Sequence, residues 1–274
     1  MQAAKHALAI DGTSAVAWAL LAHACRQVGD MAQASSAAQH AVECDDAHAP
    51  GWFNLGATLV ARNRIAEAIT AYRRAISLDD GYAEAWSNLG GLLGATGNPE
   101  GELNAYRKAV AAKPALVPLW NNLGDALRAR GLHEEAEAAL RKAIELSPEY
   151  GAAWINLGML LRDTGRFRES LDACNRGVKL DERSPEAWTN LGNACLDMER
   201  YEDAVAAHRR ADALRPNDPT ILFNLGVALK AAGEARAAID AYRAALALPH
   251  VTSLGEDRIA DLHQSFVDAG ADIL

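Results

Sequence analysis

Residues 49–82 read APGWFNLGATLVARNRIAEAITAYRRAISLDDGY, and residues 83–116 read AEAWSNLGGLLGATGNPEGELNAYRKAVAAKPAL. Set one above the other, they share Ala at the first place, Trp at the fourth, Asn-Leu-Gly at the sixth to eighth, Ala-Tyr-Arg at the twenty-third to twenty-fifth and Ala at the twenty-seventh. The spacing extends in both directions. Trp18, Trp52, Trp86, Trp120, Trp154 and Trp188 follow at intervals of 34, and the next step lands on Leu222. Three residues after each comes a leucine, from Leu21 to Leu225, and then Ala22 followed by Gly56, Gly90, Gly124, Gly158, Gly192 and Gly226. The length of 274 residues would otherwise imply about two domains. A fixed period of this size instead means stacked repeats.

Seven units follow, 15–48, 49–82, 83–116, 117–150, 151–184, 185–218 and 219–252. Each reads as a helical hairpin. In the first helix the fourth, seventh, eighth and eleventh places are apolar or small, a 3.6-residue stripe that buries one face. The fifteenth place (Gly29, Asn63, Gly97, Gly131, Gly165, Glu199, Gly233) mostly tolerates positive φ and marks the turn. In the second helix the twentieth and twenty-seventh places are mostly alanine, two turns apart and on one face. Pro114, Pro148 and Pro216 end second helices without harm.

The combination resembles the tetratricopeptide repeat family. Trp52, Leu55, Gly56, Ala68, Tyr72 and Ala75 carry the likeness, as do Trp86, Leu89, Gly90, Tyr106, Ala109 and Pro114. It covers residues 15 to 252 and implies an all-α fold, a right-handed α-solenoid of helix-turn-helix repeats, with binding of proteins or peptides as its usual role. Glu102 in place of a small residue, Cys174 and Gly177 in the fifth unit, and Leu222 in place of Trp are the departures, and looser packing is expected there.

At the start, residues 1–14 match the back half of a unit, either a natural cap or the remainder of a longer array. At the other end, residues 253–274 carry Ile259, Leu262, Phe266 and Ala269 at helical spacing and are expected to form a capping helix, because a terminal repeat must cover its apolar face.

The formal charge is −9, from 27 basic and 36 acidic residues. Nucleic acid and anionic membrane both need a concentrated positive field, so neither is expected as the partner. No run reaches the 18 or so apolar residues that span a bilayer. AVAWALLAHAC (residues 15–25) has the look of an exported, lipidated segment. Asp11 stands where basic residues should precede it, however, and the stretch is in register with the repeat, so a cytoplasmic protein is expected. Gly90, Gly91, Gly94 and Gly97 lack the Lys-Ser/Thr ending and the preceding strand of a phosphate loop. Cys25, Cys174 and Cys195 hold apolar places of the repeat and read as small hydrophobes. His133-Glu134 opens no metal-binding motif, and His208 sits at the tyrosine place. The expectation is no catalytic residue, no metal and no cofactor.

The remaining chemistry lies on the other side of the first helix, at the second, fifth, sixth, ninth, twelfth and thirteenth places, the side that lines the concave groove in the family. The sixth place is Asn54, Asn88, Asn122, Asn156, Asn190 and Asn224, after Leu20 in the first unit. An amide both donates and accepts, so this ladder suits an extended peptide backbone. A similar ladder belongs to the O-GlcNAc transferase superhelix. The same asparagines serve equally well as braces between neighbouring units. At roughly 0.5–1.5 kcal/mol per hydrogen bond, set against the cost of ordering a peptide, the ladder alone gives weak, sequence-tolerant binding. Phe53, Ile155, Met159 and Phe223 are candidate apolar anchors. Arg26, Arg128, Arg162 and Lys230 are candidate cations, with Arg128 and Arg162 forming the best basic site unless they pair with Asp125 or Asp163. The fifth place holds no cation, which argues against the carboxylate clamp for chaperone tails.

The reading is a non-catalytic scaffold for a partner protein or extended peptide. Its alternatives are the substrate-receiving arm of a larger, O-GlcNAc transferase-like glycosyltransferase and self-association through the incomplete N-terminal repeat.

Overall fold

The computed structural model describes residues 1–248 and residue 264, so the helix expected over 253–274 lies outside the described residues. Among them the fold is all-α, of the α-solenoid class, with no strand. After α1 (Gln2–Ile10) come paired helices: α2 (Ala15–Gln27) with α3 (Met31–Cys44), α4 (Ala49–Ala61) with α5 (Ile65–Leu78), α6 (Ala83–Ala95) with α7 (Pro99–Ala112), and α8 (Val117–Arg128) with α9 (His133–Leu146). The series continues with α10 (Gly151–Asp163) and α11 (Phe167–Leu180), α12 (Pro185–Asp197) and α13 (Tyr201–Leu214), and α14 (Pro219–Ala231) and α15 (Ala235–Leu246). The first helices start 34 residues apart. The chain forms two compact units, Met1–Leu127 and Arg128–Leu274.

Local chemistry sets the helix ends. The hydroxyls of Ser14 and Ser184 and the carboxylate of Asp218 accept from the first-turn amides of α2, α12 and α14, while Asp30 and Asn98 do the same for α3 and α7. Such caps satisfy donors that have no partner inside the helix. Every fifteenth-place residue has positive φ, from 57° at Glu199 to 81° at Gly233. At Glu199 a β-carbon tolerates a conformation that glycine adopts without cost.

Each unit has its own core. In the first, Leu21, Leu55, Leu59, Leu89 and Leu93 are buried with Ala34, Ala68 and Ala75. In the second, Leu191, Leu225 and Leu229 are buried with Ala204, Ala238 and Ala245. The seventh, eighth and eleventh places therefore face inward. The fourth does so only partly, since all six tryptophans are half-buried. A row absent from the expected stripe is buried instead: the third place, Ala17, Gly51, Ala85, Leu119, Ala153, Ala187 and Ile221. A β-carbon on Gly51 would lie 3.3 Å from Ala41 Cβ and from Val42 Cγ1 of the preceding second helix. At Gly51 the small third-place residue thus sets the seam between one hairpin and the next.

The tryptophans have a second task. Each indole Nε1 donates to the carbonyl six residues earlier: Trp18 to Gly12, Trp52 to Asp46, Trp86 to Asp80 and Trp120 to Pro114 at 2.8 Å, and Trp154 to Pro148 and Trp188 to Glu182 at 2.9 Å. The ring packs and its N–H ties the connection down, which an apolar residue of similar size cannot do. Leu222, buried without a donor, lacks this latch.

At three of the four departures a neighbouring residue matches the change. Cys174 stands where sister repeats have tyrosine, and a β-carbon on Gly158 would fall 2.5 Å from its Sγ. The space at Gly177 is filled by Ile155, 2.7 Å from where a β-carbon would be. The Glu102 carboxyl lies over Gly94, which has no side chain to obstruct it. Eighth-place glycine faces a twenty-fourth-place ring at Gly56–Tyr72, Gly90–Tyr106, Gly192–His208 and Gly226–Tyr242, with 2.8 Å at Gly56–Tyr72 for the same added atom.

Candidate functional site

The outward side of the first helices forms clefts between successive hairpins. One, of about 540 Å³, lies in the first unit and is lined by Val16, Leu20, Arg26, Phe53, Asn54 and Lys113 among others. A second of about 380 Å³ is lined by Ser87, Asn88, Gly91, Tyr72, Tyr106 and Asn122. In the second unit a cleft of about 290 Å³ has Glu186, Thr189, Asn190, Arg215 and Thr220 in its walls. All three contain ladder asparagines, and their linings fall largely on the second, fifth, sixth, ninth and twelfth places. Two further clefts, of about 390 and 360 Å³, lie mainly along second helices and include Gln39 in one and Asn175 in the other.

The ladder divides by position. Asn54 is buried, donating from Nδ2 to the Ala19 carbonyl at 3.2 Å and the Pro50 carbonyl at 2.9 Å, and accepting from Arg26 Nη1 at 3.0 Å. It braces α4 on α2. Asn88 donates to the Tyr72 hydroxyl at 3.1 Å and Asn122 to the Ser87 hydroxyl at 3.3 Å, again reaching back to the preceding hairpin. Asn88, Asn122, Asn156, Asn190 and Asn224 are all half-buried. Asn190 and Asn224 make no side-chain hydrogen bond to another described residue.

The apolar candidates turn inward more than their places imply. Ile155 is buried, as are Ala19 and Asn121 at the same fifth place. Phe53 and Phe223 are half-buried. Phe53 packs 5.0 Å from the Tyr82 ring and 5.8 Å from Tyr72, and Phe223 packs 6.1 Å from Tyr242, centroid to centroid. Burial pushes the Tyr82 phenol up to about 12, so it stays neutral. Met159 is half-buried against the second unit's core.

Arg128 and Arg162 form ion pairs, Arg128 with the expected Asp163 and Arg162 with Asp197. Arg128 Nη1 lies 2.8 Å from Asp163 Oδ2, and Arg162 Nε lies 2.5 Å from Asp197 Oδ2, each one repeat further on. Asp163 directly follows Arg162 on its own helix and does not face it, so Arg162 reaches the stacked neighbour instead. The Arg162–Asp197 pair thus ties α10 to α12 within the second unit. Glu84 with Lys113 (2.6 Å) and Glu186 with Arg215 repeat another pattern, from the second place to the thirty-first. Lys113 and Tyr82 enter the first cleft from the inter-repeat connections and not from first helices. Their signal is the shared register of Glu84–Lys113 and Glu186–Arg215, both 29 residues apart.

Burial raises the thiols of Cys174, to about 12, and of Cys195 and Cys25, the protonated form that suits packing. His208 is fully buried, with neither ring nitrogen hydrogen-bonded, and burial pushes it down to about 4. Among the described residues no helix is long and apolar enough to cross a membrane.

Known families and structures match this arrangement. Tetratricopeptide repeat signatures match residues 121–185 and 83–116, and a TPR repeat signature matches 56–97 and 192–233. No curated protein matches in sequence. A chain of the APC/C hetero-tetramer Cut9-Hcn1 is 18% identical with a TM-score of 0.80, over 97% of this chain and 51% of that one. The present chain therefore spans about half the length of that structure. A tetratricopeptide repeat protein from Parabacteroides merdae is 17% identical with a TM-score of 0.70, over 90% and 96% of the two chains. YrrB, a TPR protein with an unusual peptide-binding site, is 23% identical with a TM-score of 0.53, over 69% and 97%. With the hairpins, the 34-residue spacing and these matches in agreement, the chain belongs to the tetratricopeptide repeat family.

Proposed function

We propose that this chain is a protein-interaction scaffold that holds an extended polypeptide along the outward side of its first helices. The observation that carries the reading is the coincidence of clefts and ladder: three clefts open between successive first helices, and each has a sixth-place asparagine in its wall. The division of labour within the ladder refines it. Asn54 is consumed as a brace, whereas Asn190 and Asn224 retain both donor and acceptor capacity for a ligand backbone. Membership of a family of protein-binding repeats supports a protein or peptide partner, and the structurally similar YrrB has a peptide-binding site.

The test uses a displayed library of random linear peptides panned on the wild-type protein and on a variant carrying Asn190→Ala and Asn224→Ala. Because these two amides brace nothing among the described residues, helicity and melting should be unchanged. Peptides selected on the wild type should bind the variant about tenfold more weakly, the effect of two lost hydrogen bonds. Equal binding to both proteins would remove the ladder from the account.

A further inference from the structure

Arg26 differs from its sister arginines in having no carboxylate among the described residues to answer it. Arg128 and Arg162 hold the same twelfth place, and each meets an aspartate 35 residues on, Asp163 and Asp197. The residue 35 positions after Arg26 is Ala61, an exposed methyl. Arg26 instead donates from Nη1 to Asn54 Oδ1 at 3.0 Å, and its guanidinium carbon lies 5.8 Å from the Phe53 ring centroid. Two neutral groups hold it in place and leave its charge uncompensated.

This arginine stands in the wall of the 540 Å³ cleft. Val16 and Leu20, 57% and 58% exposed, line the same space with half-buried Phe53. Glu84, a lining carboxylate, is already paired with Lys113. His48 accepts the Gly51 amide on Nδ1 at 3.2 Å, the bond of a neutral ring. The cleft is therefore apolar on one side and carries one unmatched positive charge, held rigidly, on the other.

We propose that this cleft is a subsite for a linear peptide segment in which an acidic side chain neighbours a large aliphatic or aromatic one. The carboxylate meets Arg26, and the apolar side chain covers Val16, Leu20 and Phe53. The subsite rests on the peptide-scaffold reading above and adds which peptides that scaffold prefers. A guanidinium fixed on one nitrogen still presents other N–H groups in a fixed fork, the geometry that selects a carboxylate over an amide. A segment lacking the acid leaves the charge unanswered, and one lacking the apolar side chain leaves Val16 and Leu20 in water.

The test is an array of peptides acetylated at one end and amidated at the other, in which Leu or Phe neighbours Asp, Glu, Asn, Gln or Lys, followed by fluorescence polarisation on the binders. The wild-type protein should bind the Asp and Glu peptides about tenfold or more tightly than their Asn and Gln counterparts. Arg26→Ala should erase the preference. Ala61→Asp should erase it too, by giving Arg26 the internal partner its sisters have, while melting stays at or above the wild-type temperature. That variant guards against loss of binding through misfolding. The proposal is overturned if the acidic set is not captured, if both variants keep the preference, or if capture requires a free C-terminal carboxylate. If Ala61→Asp binds as wild type while the Asn190→Ala, Asn224→Ala protein does not, the subsite falls and the ladder stands.

Discussion

His208 shows how much one side chain in a repeat can differ from its sisters. It occupies the place of Tyr72, Tyr106 and Tyr242, fills the space left by Gly192 and has no partner for either nitrogen. Its pKa falls from an ordinary 6.5 to about 4 because burial disfavours the imidazolium. The unfolded chain, with the ordinary value, binds a proton between those limits that the folded chain refuses. Stability should therefore be insensitive to this group above pH 6.5 and decline as the pH falls from 6.5 to 4, by at most about 3 kcal/mol. His208→Tyr, which restores the residue of the sister repeats, should flatten that dependence in urea titrations at a series of pH values. An unchanged slope would show that the ring finds a proton acceptor on acidification. The sequence marked His208 as a core residue through its register. It could not reveal the missing partners, because hydrogen bonding in a core depends on neighbours from other helices.

At the scale of elements, the indole latch joins a first helix to the connection before it. Trp120→Phe keeps an aromatic ring in the pocket and removes the donor to Pro114. Pro114 is exposed, so water can take the carbonyl. The expected loss is about 1 kcal/mol, the net worth of one hydrogen bond, measured as a shift in urea midpoint at unchanged slope. A loss several times larger would mean that the ring itself repacks, and no loss would mean that the latch is decorative. The tryptophan period was legible at first sight and announced a repeat. Its hydrogen bond was not, because the accepting carbonyls belong to residues as different as Gly12, Asp46 and Glu182. The seam between hairpins was hidden for a related reason. Small residues at the third place carry little hydropathy signal, and the half-exposed tryptophan beside them carries a great deal.

At the scale of the molecule, the period placed fold class and hairpins from sequence alone, since each residue type recurs with its neighbours in register. The groove was less legible. The period separates the outward side of an isolated helix from its core stripe, yet stacking buries Ile155 and Asn121 and consumes Asn54 as a brace. Stacking also spent Arg128 and Arg162 on aspartates of the next repeat. Comparing register across repeats recovers what single helices hide, including the missing acid opposite Arg26. The central claim, that a peptide lies along the first helices, can be tested by NMR titration of the side-chain amides with a peptide selected by display. The account predicts that the signals of Asn88, Asn122, Asn190 and Asn224 shift with the peptide while those of Gln39 and Asn175, in the clefts along the second helices, stay fixed. Shifts at Gln39 or Asn175 with the ladder unmoved would contradict it.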